Sequence, residues 1–414
     1  MDVFCGIDWA TGHHDVALID ADGTLLAKAR IGDDPAGLAE LLALLAEHGD
    51  DAHDPVPVAI ETSRGLLVAA LRATGRPVYA INPAAAARYR ERTAISRKKS
   101  DHLDAMALAG ILRTDRDRHR PLPADTELAQ AISVLARAQQ DAVWDRTQAA
   151  NKLRAHLREY FPGFLAALGD TRHFTTPAAR ALLAAAPTPA AAAKLTPKRI
   201  STLLRNAGRT RGLDAEAERI HAAWAAPQIR QPPAVEQAMG AKTRALLRQL
   251  DAACASADEL EAAATDSFNQ HPDAEIYLSF PGLGSLLAAR VLAEIGDDRT
   301  RFADARGLKA YAGAAPITRA SGKTLTVRMR RVKNDRLAAA GYMWPFCALQ
   351  HSPGARARYD ARRAAGDWNS SALRNLAGKL LGSLHHCLTT RTLYNEDLAF
   401  RPTTKIPEGE PLTP

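Results

Sequence analysis

An α/β N-terminal domain, a long helical middle segment and a mainly α C-terminal domain are predicted by three observations. Extended segments joined by tight turns open the chain, helical and strand-like runs then alternate up to residue 114, and two heptad-like apolar patterns beyond it bracket an Ala- and Pro-rich stretch. Val3–Asp8 is the first extended run and His14–Asp20 the second, with Asp22-Gly23 as the turn into Thr24–Ile31. An Asp-Gly pair tolerates the positive φ angles a tight hairpin needs. Asp33-Asp34-Pro35 starts a helix that places Leu38, Leu41, Leu42 and Leu45 on one face. A short buried strand, Val56–Ile60, a helix over Arg64–Ala73 and a fifth strand, Pro77–Ile81, follow; Asn82-Pro83 opens a third helix and Ser100 a fourth. Three antiparallel strands followed by α/β alternation is the order of an RNase H-like fold.

Residues 125–160 read as one helix, with Leu128, Ile132, Leu135, Ala142, Ala149, Leu153 and Tyr160 along a seam that Gln139 and Arg146 interrupt. A second such helix covers Lys242–Phe268 through Leu246, Leu250, Cys254, Ala257, Leu260 and Ala264. The two are expected to pair antiparallel as a coiled-coil stalk or dimerisation element, within one chain or between chains. Between them, short helices are expected at Thr196-Pro197 and over Leu213–Trp224, with no chemical motif. From Pro272 the order is helix, the turn Pro281-Gly282-Leu283-Gly284-Ser285, helix to Ile295, loop and strand to Met329, then helices. Arg401–Pro414 is a Pro-rich polar tail. The expected division is therefore 1–114, 115–270, 271–398 and 399–414.

A chain of 414 residues is too long for one ordinary core. It lacks the roughly 18 uninterrupted apolar residues of a membrane span. Met1-Asp2-Val3-Phe4 enters a strand without a basic leader, so a cytoplasmic location is expected. Cys5, Cys254, Cys347 and Cys387 are too scattered for a disulfide framework or a zinc site, and His13-His14 and His385-His386 lack ligand spacing. Charge is unevenly divided. Residues 1–114 carry 12 Lys and Arg against 16 Asp and Glu, a balance of −4, whereas residues 301–375 carry 15 against 4, a balance of +11. A concentrated positive field suits a nucleic-acid partner, although a solvated basic surface has the same composition.

Asp8 closes the first strand, Glu61 closes the fourth, and Asp101 and Asp104 stand three apart at the start of a helix, hence on one face. In the RNase H-like order the first and fourth strands are neighbours, so all four carboxylates can meet. Such a cluster repels itself unless hard divalent cations neutralise it, and its oxygen ligands suit Mg²⁺ or Mn²⁺. Two such ions can stabilise the attacking and leaving oxygens of a phosphodiester, which makes phosphoryl transfer the implied chemistry. Taken singly, Asp101 and Asp104 also fit acidic residues at a helix start behind Ser100, and Asp8 an ordinary strand end. Arg97, Lys98 and Lys99, just before that helix, are candidate phosphate contacts.

The second candidate centre is Ser321, in the loop-like run Pro316–Lys323 that leads into an expected strand, Thr324–Met329. Arg319, Lys323, Arg328, Arg330, Arg331 and Lys333 surround it with the cations that offset charge when a hydroxyl attacks phosphate. A plain Ser-Gly-Lys turn is the alternative. Gly282 and Gly284 lie in a helix-hairpin-helix-like turn whose amides can meet a phosphate, or which serves packing alone. Arg356, Arg358, Arg362 and Arg363, with Tyr359 and Trp368, combine charge and aromatic faces.

Gly6-Ile7-Asp8, Ile60-Glu61, Ser100-Asp101-His102-Leu103-Asp104-Ala105, Phe280-Pro281-Gly282-Leu283-Gly284 and Ala320-Ser321-Gly322-Lys323, in this order, resemble insertion-sequence transposases with a DEDD RuvC-like domain and a C-terminal serine domain, relatives of the Piv-type DNA invertases. The resemblance spans roughly residues 1–160 and 270–395. It implies that Asp8, Glu61, Asp101 and Asp104 hold the metal and that Ser321 forms a transient phosphoserine link to DNA. It also implies homodimers and homotetramers in which one protomer's acids act with another's serine, and a structured bridge RNA that pairs with donor and target DNA. The bulky Trp9 and the stretch 165–235 depart from the pattern. The main rival is a RuvC-like nuclease using water, of the junction-resolvase type. An actin-like sugar kinase or ATPase is disfavoured because Trp9-Ala10-Thr11 offers no glycine-bearing phosphate loop, and a non-catalytic binder would show no metal-dependent cleavage.

Overall fold

The computed structural model describes residues 3–93, 101–168, 174–322 and 324–401, with the side chains of Thr93 and Asp101 outside that description. Two units emerge, Met1–Ala124 and Asp125–Pro414. The first is a five-stranded sheet of order β3-β2-β1-β4-β5, built from β1 (Phe4–Trp9), β2 (His13–Ile19), β3 (Leu25–Gly32), β4 (Val58–Ile60) and β5 (Val78–Ala80). β2 pairs antiparallel with β1 and β3, whereas β4 runs parallel to β1 and β5. The β2–β3 turn forms as its sequence requires: Asp20 Oδ1 accepts from the Asp22 and Thr24 amides at 2.9 and 2.8 Å, and Gly23 takes φ +90°.

Helices cover both faces of this sheet. α1 (Pro35–Glu47) is capped by Asp34, whose Oδ1 accepts from Gly37 N at 2.8 Å, and α2 (Leu66–Ala73) follows β4. With Cys5, Ile7, Val16, Val58 and Ile60, their Leu41, Leu45, Leu67 and Leu71 make one core layer. α3 (Pro83–Thr93) and α4 (Asp101–Asp115) contribute Ala86, Leu108, Ile111 and Leu112 to a second, with Ala59 and Tyr79. Beyond α4 the chain stays with this unit: Leu122 N donates to Val78 O at 2.7 Å and Arg72 Nη2 to Pro123 O at 2.6 Å.

The second unit is organised on two long helices, α5 (Glu127–Tyr160) and, after α6–α10, α11 (Pro233–Asn269), which pack against each other within the chain. Their sense is antiparallel, since Arg146 meets Asp258 at 3.6 Å while His156 Nε2 contacts Met239 O at 3.0 Å. The two seam interruptions are both satisfied: Arg146 by that ion pair, and buried Gln139 by accepting from Arg290 Nε at 3.1 Å. α11 starts earlier than the heptad pattern alone indicates, because Pro232-Pro233 supplies a proline at its first turn.

α6 (Pro162–Leu168), α7 (Pro177–Ala185), α8 (Pro189–Ala192), α9 (Pro197–Asn206) and α10 (Leu213–Ala225) wrap one end of this pair around Phe161, Phe164, Leu182, Ile200 and Trp224. α7, α8 and α9 each begin with a Thr-Pro pair, and Thr176, Thr188 and Thr196 cap them through side-chain oxygens at 3.3, 3.1 and 3.3 Å. At the other end, α12 (Ala274–Leu278), α13 (Ser285–Ile295), α14 (Ala305–Tyr311), α15 (Asp335–Ala348), α16 (Pro353–Ala364), α17 (Asn369–Thr390) and α18 (Glu396–Phe400) enclose a core centred on Tyr277, Phe280, Trp344 and Leu380. Between α14 and α15 a two-stranded ribbon, β6 (Ile317–Ser321) and β7 (Thr324–Arg328), stands out. Residues 317–321 are therefore a strand and not the loop expected: Ile317 pairs with Arg328 and Ser321 with Thr324, and Gly322 turns the chain at φ +54°. Among the described residues no helix is long and apolar enough to cross a membrane.

Candidate active site

α4 docks on β1 beside the strand ends that carry the acidic candidates. Ile7 pairs with Ile60 across the parallel β1–β4 ladder, so Asp8 and Glu61 leave neighbouring strands at the same end. Gly6 lets α4 approach: a Cβ there would lie 2.0 Å from Ala105 O and 2.5 Å from Ala109 N. The first turn of α4, with Asp101 and Asp104, is thereby brought to the ends of β1 and β4. Asp104 is buried, and its Oδ1 forms an ion pair with Arg90 of α3. The Arg90 pKa is raised, first by that hydrogen bond and further by the charges of Asp104, Glu61 and Asp8 against a burial cost. One guanidinium thus feels three carboxylates of the predicted four. Arg90 was not among the residues singled out by spacing, because it arrives from another helix; only the end of α3 preceding the acidic motif points to it.

Among the described residues no three acidic, His or Cys side chains stand close enough to share one ion. Their chemistry nevertheless fits a hard divalent cation: every donor is a carboxylate oxygen, and their combined field already draws a cation in Arg90. The Asp101 side chain and Arg97, Lys98 and Lys99 lie outside the described residues. His14, which lacks ligand spacing in the sequence, is fully buried, 3.3 Å from Asp33 and stacked with Trp9 at a ring separation of 6.3 Å.

Ser321 belongs to the ribbon. Paired residues of an antiparallel ladder share a face, so Ser321, Arg319, Thr324, Thr326 and Arg328 stand on one side and Thr318, Ala320, Leu325 and Val327 on the other. Ser321 is exposed, its face carries two arginines and no carboxylate, and the opposite face exposes Leu325 and Val327. At the ribbon base Ile317, Arg319, Arg328, Met329, Arg331 and Val332 line a cleft of about 510 Å³. The other basic candidates differ in circumstance. Lys333 pairs with Asp335 at 2.5 Å, the Nε of Arg330 is buried without a hydrogen-bond partner among the described residues, and Lys323 lies outside them.

The ribbon is held at its base by groups that spacing did not flag. Asn334 caps α15 through Leu337 N at 2.8 Å, and its Nδ2 donates to Glu294 Oε2 at 2.6 Å and to Tyr311 Oη at 2.7 Å. Buried Glu294 also accepts from Arg137 Nε and Nη2 at 2.7 and 3.0 Å. α5, α13, α14 and α15 are thereby joined directly behind the ribbon. In the glycine turn, Gly282 (φ +73°) packs on the backbone of α15, where a Cβ would lie 2.5 Å from Ala348 N; packing accounts for it. Gly284 is open, with nothing within 4 Å of its Cβ position, and precedes α13 without a side-chain cap.

Comparison with known proteins places the chain among transposases. Residues 5–162 match the family of DEDD transposases of the IS110 type, and residues 274–360 match the transposase family IS116/IS110/IS902. The chain is 61% identical over 401 residues to the mini-circle protein for IS117 of Streptomyces coelicolor, covering 97% of each. It is 29% identical to the 42 kDa protein of insertion element IS900 of Mycobacterium paratuberculosis, over 95% of this chain and 97% of that one. The 44.8 kDa protein of insertion element IS116 of Streptomyces clavuligerus is 28% identical over 95% of this chain and 96% of its own.

Proposed function

Because the chain belongs to the IS116/IS110/IS902 family of transposases, we propose that it cuts and rejoins donor and target DNA through a phosphoserine formed at Ser321. The observation that carries this reading is the exposed Ser321 hydroxyl on a ribbon face with Arg319 and Arg328 and no carboxylate. In the first step Ser321 Oγ bonds to the scissile phosphorus as the bond to the leaving deoxyribose oxygen breaks; the serine gives its proton to solvent and the leaving oxygen takes one up to become a hydroxyl. In the second step a deoxyribose hydroxyl of the partner strand attacks the phosphoserine and releases the serine, so the phosphodiester count is conserved. Arg319 and Arg328 offset charge on the phosphoryl oxygens in both steps.

Asp8, Glu61, Asp101 and Asp104 would hold Mg²⁺ or Mn²⁺. Such an ion would supply Lewis-acid polarisation of the phosphodiester. Gly284, Arg330 and Arg331, with Arg97, Lys98, Lys99 and Lys323, are assigned to the nucleic-acid backbone. A structured RNA from the element's non-coding ends would select the sequences by base pairing, and a homodimer or homotetramer would bring one protomer's acids to another's serine. The concentration of positive charge over residues 301–375 supports a backbone-reading role.

The test is to supply the protein with the element's flanking RNA, donor and target DNA and Mg²⁺, and to trap covalent protein–DNA adducts. Wild type should give an adduct that Ser321→Ala abolishes while RNA binding persists. Metal-dependent cleavage with no adduct, unaffected by Ser321→Ala, would establish a water-using nuclease instead.

A further inference from the structure

A second basic centre lies away from the ribbon, where α16, α17 and α18 meet. Arg358 and Arg362 of α16, Asn375 and Lys379 of α17, and Phe400 and Arg401 are among the residues lining a cleft of about 460 Å³ there. Helical spacing of four aligns Arg358 with Arg362 and Asn375 with Lys379, so cationic or amide groups face the opening from both helices. Among the described residues no carboxylate lines it. The nearby acids are engaged: Asp367 accepts from Arg362 Nε at 2.5 Å, Glu396 accepts from Ser352 Oγ and Gly354 N at 2.7 and 2.8 Å, and Asp360 faces Arg356 at 3.8 Å.

Arg358 is fixed by a neutral partner, since its Nε donates to Asn375 Oδ1 at 3.1 Å. Its full charge is left for another ligand. Burial, then the charges of Arg358 and Lys309, push the Lys379 ammonium below its usual range, and burial and Arg362 do the same to Arg358. Like charges gathered in a half-desolvated cleft repel one another until an anion enters. We propose that this cleft binds a backbone phosphate of DNA outside the reacting centre, with Arg358 and Lys379 as its ligands and Asn375 orienting the guanidinium. DNA is favoured over a small free anion because Arg358, Arg362, Lys379 and Arg401 spread four cations along one cleft, in a chain of a transposase family. The inference rests on the chain's acting on DNA and not on which group attacks phosphorus.

The test measures affinity of the full chain for a short DNA duplex over a series of salt concentrations, with an RNA hairpin as the parallel probe. Each phosphate contact contributes about 0.9 to the slope of log K against log salt. Arg358→Gln and Lys379→Gln together should remove about 0.9 from that slope, the share of one phosphate contact, while Arg358→Lys restores most of the loss seen in Arg358→Gln. Lys198→Gln, the loss of one charge on an exposed face of α9, controls for the net-charge change of each single substitution. A slope in the double variant equal to that of wild type or Lys198→Gln would overturn the proposal, as would an effect on the RNA hairpin alone. The same titration in a Ser321→Ala background reads binding without chemistry, so failure of the serine reading and failure of the cleft are seen separately.

Discussion

Replacing Gly6 by Ala tests whether close docking of α4 assembles the acidic site. Its Cβ would meet Ala105 O at 2.0 Å and Ala109 N at 2.5 Å, both backbone atoms of a helix already packed on the sheet. Restoring an ordinary contact of 3.4 Å requires α4 to recede by about 1.4 Å, and no flexible side chain can yield in its place. Overpacking costs typically about 1–3 kcal/mol, and an obstacle made of backbone places this change near the upper end. At roughly 3–6 °C per kcal/mol, between the values for smaller and larger domains, the N-terminal unit should melt about 8–18 °C lower. Catalysis should suffer separately, because α4 carries Asp101 and Asp104 past Asp8 and Glu61, and a misplacement of about 1 Å costs on the order of 100-fold in rate. Thermal unfolding read alongside Mg²⁺-dependent DNA cleavage measures both effects. Gly341→Ala is the matched control: this α15 glycine has nothing within 4 Å of its Cβ position, and Ala should stabilise by about 0.5–1 kcal/mol through helix propensity. Wild-type melting and wild-type cleavage in Gly6→Ala would refute the docking argument.

Two further outcomes follow from groups away from the site. Burial opposes ionisation of Asp297, but hydrogen bonds from Thr126 Oγ1 and N at 2.6 and 2.9 Å and from His271 hold its pKa below the usual range. A depressed carboxyl contributes stability that is complete above its unfolded pKa of about 3.9 and is lost as pH falls through the folded value. Asp297→Asn should therefore lower the urea midpoint at neutral pH and flatten its decline in acid; an acid limb as steep as wild type would contradict this. Burial also pushes the Cys5 thiol up to about 12, whereas Cys347 is half-buried on α15. Brief alkylation of the native protein should label Cys347 and spare Cys5 until denaturant is added, and mass spectrometry showing equal labelling would contradict the burial assignment.

The sheet was legible because its elements carry local signals, alternation and an Asp-Gly turn for β2 and β3 and Asp34-Pro35 for α1, as Thr196-Pro197 does for α9 beyond it. The adjacency of the strands that end at Asp8 and Glu61 was legible because the predicted strand order sets β1 beside β4. β6 was missed because Ile317-Thr318-Arg319-Ala320-Ser321 has little apolar alternation and follows a proline, so only its partner across Gly322 defines it as a strand. The Ala-rich stretch hid a second core for a related reason: Phe161, Phe164, Phe174 and Trp224 are far apart in sequence and meet only in three dimensions. Arg90, Glu294 and Asn334 gave no periodic signal, since each acts through a partner on another element.

The long helices α5 and α11 each belong to both of the larger cores. Ile132 and Ala136 of α5 are buried with Trp344 and Leu380, while Leu153, Leu157 and Tyr160 of the same helix are buried with Phe164 and Trp224. At about 1.5 Å per residue this is a spar on the order of 50 Å long, rigid over its length. A load applied to the bundle at one end must reappear at the other as rotation or translation of that spar. The serine ribbon is rooted beside its near end through Arg137 and Glu294, so a partner gripping the far bundle would hold a lever on the ribbon's aim.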